Sequence, residues 1–262
     1  MIIDIYQIDA FTTQLFHGNP AAVCPLNEWL PDDVLLNIAK ENNLAETAYF
    51  VHKHDNIFYL RWFTPEIEMD LCGHATLATA YVILSCLNYD FDSLIFETLS
   101  GELSITKSNN QLEMSFPSRP AQKALLPQII KDSLSIQPLE VYLARDYILL
   151  YNSEEDIASL KVNAANLEQI NLDPGGIIVT AKGKASDFVS RFFTPGAAIF
   201  EDPVTGSSHC TLIPFWAERL NKTSLQARQI SERGGDLYCR LDNNRVFIKG
   251  SAVKYLKGQI EI

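Results

Sequence analysis

Basic residues are the scarce charge in this chain: 21 Lys and Arg stand against 32 Asp and Glu, a net charge of −11. A nucleic-acid surface needs clustered Lys and Arg, so no nucleic-acid partner is expected. A small anion is not excluded, because backbone dipoles can bind one inside an acidic protein. Uncharged apolar runs stop short of the ~20 residues that a bilayer span requires, so no membrane segment is expected. The opening MIIDIYQIDAF carries acids where an export signal would carry Lys or Arg, which makes the cytoplasm the expected compartment. Cysteines number only five, without regular spacing, and read as free thiols in a reducing environment. Phosphate-loop and dinucleotide fingerprints are missing too; Gly175-Gly176 and Arg233-Gly234-Gly235 read as turns.

What is present is an ordinary globular composition, 47% hydrophobic and 20% charged, over 262 residues. That length holds two modest domains or one large one. Within it a pentapeptide recurs: RWFTP at 61–65 and RFFTP at 191–195, 130 positions apart. The surroundings recur as well. ETAYFV (46–51) and GIIVTA (176–181) read as buried strands at the same separation. Before them lie NEWLPDDVLLNIAKENN and NSEEDIASLKVNAANLEQ, both consistent with surface helices opening on Asn, Asp or Ser caps. After each pentapeptide come an acid (Asp70; Glu201 and Asp202), a Gly and a long apolar stretch. Gly73 lies 8 residues beyond Pro65 and Gly206 lies 11 beyond Pro195, which indicates a three-residue insertion in the second copy.

The spacing predicts two similar halves, each with strands around one central helix. His74–Leu87 holds no charge and is apolar on nearly every side, so other structure should wrap it. Leu212–Leu220 is similar, with Pro214 expected to bend or interrupt its first turns. SLIFETLSGELSITKSNNQLEMSFP and LYCRLDNNRVFIKGSAVKYLKGQIEI read as antiparallel hairpins turning at SNN and DNN. PSRPAQKALLP (117–127) is the linker candidate. The expected division is 1–117 and 118–262, with a C-terminal strand at about 250–262 crossing back to complete the first half. A Gly opens the buried helix in each half, at Cys72-Gly73-His74 and Thr205-Gly206-Ser207. Helix starts leave N–H groups unpaired and carry partial positive charge. Halves that faced each other would turn both starts into one cleft, a site for a carboxylate. Either Gly alone reads equally as a tight turn.

DAFTTQLFHGNPAAV (9–23), NLAETAYF (43–50), RWFTPEIEMDLCGHATLA (61–78), RFFTPGAAIFEDPVTGSSHCTLIPFWAERL (191–220) and SERGG (231–235) resemble the PhzF family of phenazine-biosynthesis-like isomerases, in order from end to end. The GHAT and EDPVTGS stretches are the specific signals. The resemblance implies an α+β, diaminopimelate-epimerase-like fold: two pseudo-symmetric halves, each a curved, mostly antiparallel sheet around a central helix. It implies a homodimer, no cofactor and a small carboxylate-bearing metabolite as substrate. It assigns Glu46 as the proton-shuttling carboxylate, His74 and Asp202 as its polar partners, and Gly73, Gly206 and Ser207 as binders of substrate carboxylate.

Moving a proton between carbons needs a base that later acts as an acid. A carboxyl does both only when it is desolvated. On a strand Glu46 shares a face with Ala48 and Phe50, which suits that requirement. Its counterpart in the second half is Gly176, so single-base chemistry is expected. His74, in a first helical turn, should stay neutral unless an acid such as Asp202 is close. Racemases of the same fold place a Cys at each helix start; Cys72 fits the first position but Thr205 holds the second, which disfavours a Cys pair. A zinc set of Cys72, His74, His209 and Cys210 is disfavoured because adjacent helical residues diverge by about 100°, so no metal is expected. A Cys72–His209 nucleophile pair lacks an orienting acid. A binding or regulatory protein on the same frame, without chemistry, stays open.

Overall fold

The computed structural model describes residues 1–109, 111–172 and 175–262. The chain forms two compact units, one of Met1–Ser115 with Ile248–Ile262, the other of Phe116–Phe247.

In the first unit, β1 (Ile2–Ala10) runs antiparallel to both β2 (Asn19–Leu26) and β18 (Ala252–Glu261). Strand β2 is parallel to β3 (Glu46–His54), which is antiparallel to β4 (Ile57–Phe63). In turn β4 pairs antiparallel with the short β5 (Glu68–Met69) and parallel with β6 (Ser93–Thr98). Antiparallel partners β7 (Gly101–Ser108) and β8 (Gln111–Pro117) follow. One face packs on α1 (Asp32–Asn42) through Ile3, Ile5, Ala22, Cys24, Leu35, Ile38 and Tyr49. The apolar stretch after Gly73 forms α2 (Gly73–Tyr81) and continues as a π-helical turn over Val82–Cys86. Residues His74 to Ala80 are buried, as the all-round apolar pattern requires.

The second unit repeats this plan. β9 (Gln122–Lys123) pairs antiparallel with β10 (Glu140–Leu143), and β10 with β11 (Tyr147–Leu150). Strand β11 is parallel to β12 (Ile177–Lys182), which is antiparallel to β13 (Phe188–Phe193). Here β13 is antiparallel to β14 (Glu201–Asp202) and parallel to β15 (Ser224–Gln229), which pairs antiparallel with β16 (Gly235–Asp242). Then β17 (Arg245–Gly250) leads to β18. Helices α3 (Gln128–Asp132), α4 (Glu154–Ser159) and α5 (Ala164–Leu167) cover a core that includes Ile130, Ile157, Leu167, Ile177, Val179 and Phe193. The buried helix is α6 (Gly206–Leu220).

Parallel, antiparallel and short pairings recur in one order, and even the register is shared. Thr47 faces Phe63 and Ile177 faces Phe193, and the correspondence runs on to Phe50 with Leu60 and Thr180 with Ser190. The recurring Arg of each pentapeptide explains why it was written twice. Arg61 grips Glu68 through Nε and Nη2, both at 2.6 Å, and Arg191 grips Glu201 at 2.7 and 2.8 Å. Each fork ties the pentapeptide strand to the short strand that precedes the buried helix. The inserted residues lie in the turn between them: Thr64 N bonds Ile67 O, whereas Thr194 N reaches to Phe200 O.

Three expectations need correction. Helix α1 opens on Pro31 with no side-chain cap, not on an Asn, Asp or Ser, because Pro31 fixes the entry φ and its missing N–H costs nothing there. The second surface segment is two short helices, capped by Ser153 and Asn163 as expected. Pro214 does not interrupt α6. Proline frees the carbonyl four residues back, Cys210 O, and Arg119 N–H donates to it at 2.9 Å. Of the hairpin turns, Asn109 and Asn243 adopt left-handed φ of 56° and 52°, while Asn110 lies outside the described residues.

Candidate active site

Strand alternation settles what faces α2. Tyr49 and Cys24 pack with α1, and Tyr49 donates to Leu35 O at 2.7 Å, so Glu46 on β3 and Asn19 on β2 project to the opposite side. Parallel pairing sets Ala21 beside Glu46. Gly18 brings Asn19 into place: its φ is +69°, and a Cβ there would lie 2.2 Å from Ala10 O. From α2, His74 enters between the two strands. Glu46 Oε2 lies 2.9 Å from His74 Nε2, off the line of a full hydrogen bond. On the other edge of the ring, Nδ1 meets Asn19 Nδ2 at 3.1 Å and Cys72 Sγ at 3.6 Å. The acid beside His74 within this unit is therefore Glu46.

Burial acts most strongly on His74 and pulls it toward the neutral form; beside a Cys72 thiolate, Cys72 and Glu46 together would raise its proton affinity well above that of an ordinary His. The Cys72 share presupposes a thiolate. Burial, and then the Glu46 charge, push that thiol up, so at neutral pH it keeps its proton. The contest that remains is between burial and the carboxylate.

In the second unit, Asp202, Thr205, Gly206 and Ser207 sit where β14 leads into α6. Thr205 Oγ1 donates to Asp202 Oδ2 rather than capping its helix. Gln229, fully buried on β15, accepts from Thr205 N at 2.9 Å and donates to Asp202 O at 2.6 Å. Ser231 Oγ donates to Pro203 O at 2.7 Å and accepts from Gly234 N at 3.1 Å. The SERGG stretch thus braces EDPVTGS. Neither α2 nor α6 has a side-chain cap, and Cys72 and Thr205 are both extended at the N-cap. Helix starts in general carry unpaired first-turn amides that suit an anion.

Asn19 and Gln229 were not singled out by the sequence. The GNP triplet held the only hint of Asn19, and nothing beyond its place before SERGG marked Gln229.

His209 Nδ1 donates to Thr205 O at 2.7 Å within its own helix, and burial lowers its pKa to about 4, against a smaller rise from that bond. Burial pushes the Cys210 thiol up to about 11. Among the described residues, Glu46, Cys72 and His74 bring potential ligand atoms within 4.8 Å of one another. At the position matching Glu46, a Cβ on Gly176 would meet Phe192 Cζ at 2.5 Å and Phe193 O at 2.7 Å. No helix among the described residues is long and apolar enough to cross a membrane.

An uncharacterised isomerase of Pseudomonas aeruginosa is 45% identical over 262 residues, covering all of both chains. An uncharacterised isomerase of Halalkalibacterium halodurans is 45% identical over 265 residues, covering 99% of each. The crystal structure of a phenazine biosynthesis protein of the PhzF family from Enterococcus faecalis superposes with a TM-score of 0.95 at 44% identity, covering both chains completely. These likenesses support isomerase or epimerase activity in general terms, on the two-part α+β fold of the diaminopimelate epimerases. Residues 8–258 match the phenazine biosynthesis-like proteins as a family, and the chain belongs to that PhzC-PhzF family.

Proposed function

We propose that the protein is a cofactor-independent isomerase that moves a proton on a small carboxylate-bearing metabolite, with Glu46 as its single base and acid. The observation that carries this reading is the 2.9 Å approach of Glu46 to His74 on the buried face of β3, at a place where the duplicated frame offers only Gly176. One carboxyl takes a proton from carbon, the electron pair delocalises toward the substrate's own unsaturated or carboxylate group, and the same carboxyl returns the proton to carbon. His74 steadies the charge on Glu46. For Asp202, Gly73, Gly206 and Ser207 we propose the roles that the family resemblance gives them, the glycines and Ser207 holding substrate carboxylate on helix-start amides. Thr205 serves Asp202, and Cys72 stays a thiol.

Incubation in D2O with a panel of small unsaturated and α-chiral carboxylates, read by mass spectrometry, tests the proposal. Deuterium should enter a substrate with wild type and with Cys72→Ala, and should fail to enter with Glu46→Gln. Equal loss in both variants would point to a thiol racemase. Binding without exchange at any pH would point to a binding protein.

A further inference from the structure

We propose that Asn19 sets the protonation state of His74: its side-chain amide donates to Nδ1 and so fixes the ring as the neutral tautomer whose one proton sits on Nε2, facing Glu46. This deepens the Glu46 reading by naming the group that keeps the carboxylate's neighbour a neutral donor.

The geometry points to Asn19 because its Nδ2 lies 3.1 Å from Nδ1, and an amide nitrogen only donates. A ring nitrogen that accepts carries no proton, so the proton belongs on the other edge. There Glu46 Oε2 waits at 2.9 Å, and a bare lone pair would repel it. The protonated Cys72 thiol, 3.6 Å from Nδ1, is a second weak donor to the same lone pair. A third influence is position: His74 is the second residue of α2, where the helix's positive end opposes a cation.

A second proton would have to enter at Nδ1. It would meet the Nδ2 hydrogens of Asn19 unless the amide turned over to present Oδ1. Amide orientation and ring charge are therefore one coupled variable. The charged and titratable groups that reach His74 are Glu46 from β3 and Cys72 from the turn before α2. Asp9 on β1, also buried, accepts from Phe16 N at 3.0 Å, and β2 contributes the neutral Asn19.

Two-bond 1H–15N spectra of the full chain labelled at its five His residues test the idea, with His74→Gln identifying the signal. At pH 7, wild type should show Nδ1 unprotonated and Nε2 protonated. Both nitrogens protonated, or a proton on Nδ1 alone, would overturn the proposal. Asn19→Asp replaces a donor with a carboxylate and should raise the His74 midpoint by about 1–3 units, giving imidazolium at pH 7. An unshifted midpoint would overturn it. If that variant does not fold, Asn19→Ala should still move the midpoint upward, and no movement there counts against the proposal. None of these spectra needs turnover, so their failure would leave the isotope-exchange test of Glu46 standing, and the reverse holds too.

Discussion

Two histidines near helix starts illustrate how a neighbour decides what a residue does. His74 has Glu46 beside it, whereas His209 meets the Thr205 carbonyl, Ser208 Oγ and the ring of Phe188, the two rings with centroids 5.9 Å apart. His209 is consequently a stability group with a defined pH signature. Its proton affinity is lowered to about 4 in the folded protein, against 6.5 for an ordinary His. Between those values the unfolded chain binds the proton and the folded one does not. Stability from this group is therefore present above about pH 6.5 and is lost as the pH falls through 4, up to about 3 kcal/mol in all. Urea unfolding at pH 7 and pH 4.5 should show a large drop for wild type and a clearly smaller one for His209→Gln. Equal drops would remove His209 from the account.

At the scale of elements, α6 depends on a strand-to-strand connection for its continuity. Pro214 leaves Cys210 O without its helical donor, and the backbone of Arg119 supplies one. Arg119→Pro removes that N–H and leaves a buried carbonyl unsatisfied, which should cost about 1–3 kcal/mol beyond Arg119→Ala. Chemical denaturation of the two variants side by side gives the difference. Pro214 also marks how far the sequence could be read. The hairpins, the buried helices and the duplicated order of segments were legible because they rest on local periodicity and on a repeated motif. The continuity of α6 was not, because the rescuing donor lies 91 positions from the acceptor in the chain. Within the site the same division holds. Glu46 and His74 were readable from motif and face, and the structure sets them together. Asn19 and Gln229 act through hydrogen bonds between distant segments, and no local pattern announces such bonds. The start of α1 misled for a local reason: several polar residues precede it, and Pro31 outranks them all.

At the scale of the whole molecule, the first unit is closed by the last strand of the chain. Nine residues of β1, from Ile2 to Ala10, find partners on β18 between Glu261 and Ala252, with a shift after Gln7. Without β18 those backbone groups become an open edge beside a hydrophobic face. A chain ending at residue 250 should therefore fail to give a cooperatively folded first unit, seen as aggregation or as loss of a sharp thermal transition. A native-like melting curve for that truncation would refute the dependence.

Gly176 sets a limit on the duplicated frame. Where the first half carries the Glu46 carboxyl, Phe192 and the Phe193 carbonyl fill the space in the second. Placing a carboxyl there by one substitution meets a steric wall, and trimming Phe192 first opens a void with no compensating gain. Either step costs packing, so a side chain of any size at this position requires the neighbouring strand to be rebuilt around it.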